Sequence, residues 1–104
     1  MSKQTPPTFP AAQRQIKALG ERLLAARLRR RLSRDVVAAR VGVSRLTLAK
    51  LENGNPSTSL ATLLRLLQVL NLADDIDRLA ADDELGRKLQ DIAQVGAPRG
   101  RAKP

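Results

Sequence analysis

Apolar residues recur every three or four positions along most of the chain, which is the spacing of one face of an α-helix. The first such stripe predicts a long helix over residues 10–32 and consists of Ile16, Leu19, Leu23, Leu24 and Leu28. Runs that alternate apolar and polar residues, as a half-buried strand does, are absent. The pattern therefore predicts an all-α fold of five to six helices.

The segment from Ser33 to Gly54 reads as two short helices joined by a tight turn at residues 41–43. Ser33 and Ser44 each precede a helix-compatible run, where a serine hydroxyl accepts from the free N–H groups of the first turn. Gly42 supplies the positive φ that a sharp reversal between helices needs. The segment predicts a helix-turn-helix motif.

The helix that follows Ser44 has two different faces. One face is expected to pack and holds Leu48, Leu51 and Glu52. The opposite face is expected to be exposed and holds Leu46, Thr47, Lys50 and Asn53. Such a helix, with Arg45 at its exposed start and a preceding helix to support it, fits the major groove of DNA.

Two opposite charges point into predicted packing surfaces. Arg27 falls within the apolar stripe of the first helix, and Glu52 lies beside Leu48 and Leu51. A buried unpaired charge costs several kcal/mol, so we predict an Arg27–Glu52 ion pair that holds the two helices in register.

The second helix, predicted over residues 34–40, starts with Arg34 at a helix end that favours phosphate. We expect Arg34 to contact the DNA backbone, whereas Asp35 is interpreted as an ordinary helix-start residue. The arginines on the first helix have two open interpretations: a solvated face, or further phosphate contacts.

A fourth helix is predicted from Leu60 to Leu70, with Ser59 or Thr58 as its cap. It is apolar around most of its circumference, which indicates burial on more than one side. We therefore predict a homodimer with two-fold symmetry. The predicted dimer interface consists of Leu60, Leu63, Leu64, Leu67 and Leu70.

The acidic run over residues 71–85 does not match a calcium loop, because the ligand spacing and the required glycine are missing. We expect Asp74 and Asp75 to cap a short fifth helix, and Asp82 or Asp83 to cap a sixth over residues 84–93. The predicted organisation is a disordered arm over residues 1–12, a helix-turn-helix domain with C-terminal dimerisation helices over 13–93, and a basic disordered tail over 94–104. The tail is interpreted either as a solubilising segment or as one that orders against DNA or a partner protein.

Composition narrows the functional class. Cysteine and histidine are both absent, which removes the usual zinc ligands, thiol nucleophiles and imidazole bases, so an enzyme is disfavoured and no cofactor or metal is predicted. No apolar run is long enough to span a membrane, and the expected location is the cytoplasm of a bacterium, at the nucleoid. The net charge is +9, with +9 in residues 1–56, −3 in 57–93 and +3 in 94–104. This asymmetry favours a polyanionic partner.

The helix-turn-helix segment resembles the Cro/repressor-type (XRE) DNA-binding family, in the pattern L-S-x-x-x-x-A-x-x-x-G-V-S from Leu32 to Ser44 and in L-E-N-G at residues 51–54. The resemblance implies a repressor-like bundle. The residues matching the family's base-reading positions are Arg45, Leu46 and Lys50, with Thr47 adjoining them. Those matching its phosphate contacts are Arg34, Ser44 and Asn53. The Arg27–Glu52 pair also corresponds to an ion pair of phage repressors. Arg34 departs from the glutamine common in the family, and Leu46 either meets a thymine methyl or lies against the domain.

Residues 55–72, with the acidic stretch and D-E-L-G-R-K-L-Q after them, are similar to HipB-type antitoxins. The predicted function is a dimeric repressor that binds a palindromic operator in double-stranded DNA. The HipB resemblance further implies that it represses its own operon and binds a HipA-like kinase toxin. The alternative is a stand-alone, prophage-type regulator of the XRE family.

Overall fold

The computed structural model describes residues 9–96 of the 104-residue chain. Its elements are α1 (Pro10–Arg29), α2 (Arg34–Val41), α3 (Arg45–Glu52), α4 (Leu60–Val69), a 3₁₀ helix (Ala73–Arg78) and α5 (Glu84–Gly96). Residues 9–96 contain no strand, so the predicted all-α class is confirmed. None of these helices is both long and apolar enough to cross a bilayer.

Three helices start at serine caps. The hydroxyl oxygens of Ser33, Ser44 and Ser59 accept hydrogen bonds from backbone N–H groups three residues ahead, at 3.1, 3.0 and 3.0 Å. Each bond satisfies a donor that the helix itself leaves free. The predicted starts of α2, α3 and α4 are therefore confirmed, and Ser59 rather than Thr58 caps α4.

The ends of the helices depend on residues with left-handed backbones. Gly42 ends α2 at φ +87° and its N–H donates to Ala38, as the turn prediction required. α1 ends at Arg29, earlier than predicted, because Arg31 adopts φ +55° and the N–H of Leu32 turns back to the carbonyl of Arg27. Arg31 takes a conformation usually left to glycine, so no sequence signal marks this end.

The core of the first compact unit, which runs to Ala73, lies between α1, α2, α3 and α4. Its buried apolar residues are Leu23, Ala26, Val37, Ala38, Val41, Leu48, Leu51, Leu66, Leu67 and Leu70. α3 packs against both α1 and α2, and α2 packs against α4. One side of the helix-turn-helix is thereby fixed to the rest of the unit.

Two residues of the predicted dimer surface on α4 are already buried within the single chain. Leu67 and Leu70 are 6% and 0% exposed within the single chain, so a second subunit has almost nothing left to cover there. Leu63 and Leu64 are half-buried and Leu60 is exposed. Most of the apolar circumference of α4 is buried by the chain's own core.

A second compact unit begins at Asp74. The predicted short fifth helix is the 3₁₀ helix, and α5 runs to Gly96, three residues beyond its predicted end. Asp83 caps α5, because its carboxylate accepts from the N–H of Gly86 at 2.9 Å. Residues 10–12 and 94–96, which the prediction gave to the disordered arm and tail, are helical, and the rest of the arm and tail lies outside the described residues except Phe9.

Candidate nucleic-acid interface

The outward face of α3 presents a short row of exposed side chains. Arg45, Leu46 and Lys50 are exposed, with Leu46 63% accessible, while Thr47 is half-buried. On the opposite face Leu48 and Leu51 are buried at 1% and 6%. The division of α3 into a packed and a presented face therefore agrees with the sequence prediction.

Two further side-chain contacts form at the start of α3. The Ser44 hydroxyl donates to the Thr47 hydroxyl oxygen at 3.0 Å, so the predicted phosphate-contact residue also fixes the first turn. Arg45 Nε lies 3.4 Å from a carboxylate oxygen of Asp35 on α2. Both side chains of that pair are more than two-thirds exposed, and such a pair contributes little to stability. The Arg45 guanidinium can thus leave Asp35 at small cost.

The Arg45–Asp35 contact was not predicted from the sequence. Asp35 stands in the first turn of α2 and Arg45 opens α3, and only the geometry of the turn brings them together. No periodicity within either helix connects the two positions.

A buried ion cluster lies beneath α3. Arg27 donates from Nε to Glu52 Oε2 at 2.7 Å and from Nη2 to Glu52 Oε1 at 3.2 Å, a two-point contact between a planar guanidinium and a carboxylate. The side chains are 7% and 1% exposed. The two residues predicted to pair are therefore found together, joining α1 to α3.

Glu52 has a second partner. Arg34 donates from Nε to Glu52 Oε1 at 3.1 Å, and its Nη2 lies 3.1 Å from the same oxygen. The Arg34 side chain is 31% exposed, so it reaches from the buried carboxylate to the surface at the start of α2. This contact was not predicted from the sequence. The contact of Arg34 with phosphate stays a prediction.

Other contacts fix the helix-turn-helix to its supports. Arg65 on α4 donates from Nε to the carbonyl of Val41 at 2.9 Å, which satisfies a free acceptor at the end of α2. Gly20 permits α1 to pass close to the end of α3, since a Cβ there would lie 2.6 Å from the Glu52 carbonyl oxygen. Sequence reasoning missed Arg65, because an arginine within a leucine-rich helix gives no sign of a backbone partner.

Basic side chains surround the entry to α2. Arg29, Arg30 and Arg31 are all exposed between the end of α1 and the Ser33 cap. Arg29 and Arg31 have no ion-pair partner within residues 9–96, and Arg30 donates to the Ala26 carbonyl at 2.8 Å. Positive charge near the positive end of a helix creates a favourable place for phosphate. Asn53, the other predicted phosphate contact, is exposed at the C-cap of α3.

Two helices joined by a tight turn, of which the second is buried on one face and exposes basic side chains on the other, define a helix-turn-helix DNA-binding protein. Residues 18–81 match the family model described as a helix-turn-helix domain, which is more than half of the chain, and the chain therefore belongs to that family. Comparisons with curated proteins and with solved structures gave no match.

Proposed function

We propose that the protein is a sequence-specific transcriptional repressor that binds a palindromic operator as a homodimer and has no enzymatic activity. The observation that carries the proposal is the exposed face of α3, where Arg45, Leu46 and Lys50 stand together on a helix whose other face is fixed in the core. Guanidinium and ammonium groups suit guanine edges, and an apolar side chain suits a thymine methyl.

The proposal gives base reading and positioning on the DNA to different residues. Phosphate contacts orient a protein on the duplex without reading sequence, and base contacts supply specificity. We assign Arg45 and Lys50 to base edges, with Leu46 and Thr47 adjoining, and Arg34, Ser44 and Asn53 to the backbone. The net charge of +9 in residues 1–56 supports strong, salt-dependent attraction to DNA.

The operator test uses the DNA upstream of the protein's own gene. A two-fold dimer should protect two half-sites whose centres lie about 34 Å, or one helical turn, apart. Footprinting of this region with the full chain measures both the position and the spacing. Protection of a single half-site, or uniform coating without preference, contradicts the proposal.

Arg34→Ala should weaken binding to all duplexes to a similar degree and reduce the slope of log K against log salt by about one unit. The reason is that Arg34 is expected to contribute one phosphate contact and no base contact. Glu52 keeps Arg27 as its partner in this variant, so the fold is retained. Binding constants for matched and mismatched duplexes at several salt concentrations measure the effect. A selective loss on one sequence would instead assign Arg34 to base reading.

The finer proposal is that this repressor is the antitoxin of a HipBA-like module, bound by a HipA-like kinase toxin. It is supported by the resemblance of residues 55–72 and the acidic stretch after them. The alternative is a stand-alone regulator. Co-expression with the product of the adjacent gene separates them: a stable complex supports the antitoxin, and independent purification supports the stand-alone regulator.

A further inference from the structure

The helix α5 carries an apolar stripe that lies open to solvent. Leu85, Leu89, Ile92 and Val95 are 67%, 56%, 68% and 89% exposed. Their spacing of four, three and three residues places them along one face of the helix. The helix lies beyond residue 81, where the helix-turn-helix family match ends. A contiguous exposed face of this kind marks an interaction surface.

The length of α5 also indicates a partner. The helix has 13 residues, and isolated helices of about 12–15 residues are only marginally stable in water. The Asp83 cap stabilises the first turn, but within residues 74–95 of its own unit the apolar stripe is left exposed. Packing of that stripe would supply the missing stabilisation.

The two edges of the stripe differ in character. At about 100° per residue, Lys88 lies between Ile92 and Val95, and Asp91 lies just beyond Val95. Gly86 and Ala93 lie on the opposite side, beyond Leu89. Lys88 is 3.9 Å from Glu84 in an exposed pair, while Asp91 has no ion-pair partner among the side chains of residues 9–95. One edge is therefore charged with both signs, and the other is small.

Two copies of α5 can place opposite charges against each other when they pack antiparallel. When two α5 helices pack antiparallel about a two-fold axis near Leu89, the charged edges of both copies meet. Lys88 then lies opposite Asp91 of the second copy, and the reverse pair forms by symmetry. The same register places Leu85 against Ile92 and Val95 of the second copy. In a parallel pair the charged edge would meet the small edge, and neither charge would gain a partner.

We infer that α5 is the self-association surface of this protein, and that its occupant is α5 of a second copy in antiparallel orientation. The choice of a second copy rests partly on the proposed function, since a palindromic operator requires a two-fold pair. The choice of α5 rather than α4 rests on burial: two of the five leucines predicted for an α4 interface are already buried within the single chain.

The size of α5 sets the strength of the association. A helix about 20 Å long presents well under the roughly 800 Å² per partner of a typical stable interface. The free dimer should therefore dissociate at micromolar concentration. On the operator, DNA holds both copies together and raises their effective concentration, so the dimer is strengthened there.

Leu89→Asp should raise the dimer dissociation constant at least about 100-fold, because the symmetric interface loses two buried leucines. Gln90→Asp is the matched control: it introduces the same charge at the next position, on the far side of the helix, and should leave the constant unchanged. Sedimentation equilibrium of the full chain measures both, and thermal unfolding checks that the variants remain folded.

Exchange of the edge charges tests the register. Lys88→Asp leaves two acids at positions 88 and 91, and Asp91→Lys leaves two bases, so each variant alone should dimerise less than the wild type. An equimolar mixture should form a heterodimer with complementary edges. Failure of the mixture to associate more tightly than either variant overturns the antiparallel register.

Two further results would overturn the assignment of α5. One is an unchanged dimer constant for Leu89→Asp, which would place the interface elsewhere. The other is a wild-type chain that stays monomeric at about 500 μM, far above the micromolar range expected from the interface size, which would leave the stripe to a different partner protein. Footprinting distinguishes failure of the α5 inference from failure of the proposed function. Two protected half-sites, together with a dimer constant that Leu89→Asp does not change, contradict only the α5 inference. A dimer constant that Leu89→Asp does change, without operator binding, contradicts only the repressor.

Discussion

Glu52→Gln should lower the free energy of unfolding by about 3–5 kcal/mol, the typical effect of removing one member of a buried ion pair. Gln keeps the size of the side chain but removes the charge. The Arg27 guanidinium, whose side chain is 7% exposed, is then left buried without a counter-charge. Stability of a small domain is only about 5–15 kcal/mol, so a large share of it should be lost. Urea unfolding followed by circular dichroism measures the change.

Two matched variants sharpen this test. Glu21→Gln removes the same charge from an exposed position of α1 and should change stability by less than about 0.5 kcal/mol. The double variant Arg27→Met with Glu52→Met should recover much of the loss, since replacement of a whole buried pair by apolar side chains is often neutral. Arg34 can return to water in that variant because it is partly exposed. A Glu52→Gln protein as stable as the wild type would contradict the structural role of the cluster.

Arg45→Ala should reduce affinity for the operator by about 1–3 kcal/mol, and it should do so mainly by removing the preference at one base pair of each half-site. The wild-type side chain gives up only an exposed contact with Asp35 when it reaches a base, so most of the base contact appears as net binding energy. Competition binding against a set of operators mutated one base pair at a time measures the loss. Arg78→Ala, in the second compact unit, is the control and should retain the wild-type profile.

A uniform loss across the operator set would give a different role to Arg45. It would mean that the side chain contacts phosphate, and that base reading depends on Lys50 and Leu46 alone. Equal profiles for Arg45→Ala and Arg34→Ala would contradict the division between base-reading and positioning residues.

The sequence predicted features that depend on local chemistry. Ser33 and Ser44 caps, the left-handed Gly42 and the two faces of α3 all follow from residues within one or two turns of each other. The Arg27–Glu52 pair could also be predicted from the sequence, because both charges fall on apolar stripes and a buried charge needs a partner.

Features that depend on packing between distant segments could not be predicted from the sequence. Arg34 gave no sign that it would share Glu52, since its position at a helix start is equally suited to phosphate. The end of α1 at Arg29 depends on the left-handed backbone of Arg31, which its residue type does not favour.

The two apolar helices show a different limit of sequence reasoning. In α4, the apolar pattern shows which leucines should be buried. It does not show that the chain's own core already buries Leu67 and Leu70. In α5, the residues from Leu85 to Val95 follow a helical spacing that the sequence analysis did not use, and only the structure shows that residues 74–95 leave this stripe exposed.

The central claim is that the exposed face of α3 reads nucleobases, and selection from a random duplex pool tests it most directly. The wild-type chain should enrich a palindrome with half-site centres about 34 Å apart. Arg45→Ala and Lys50→Ala should each lose preference at one, different, position per half-site, while Arg78→Ala should enrich the wild-type sequence. Enrichment of the same sequence by all four proteins, or of no sequence by the wild type, would contradict the claim.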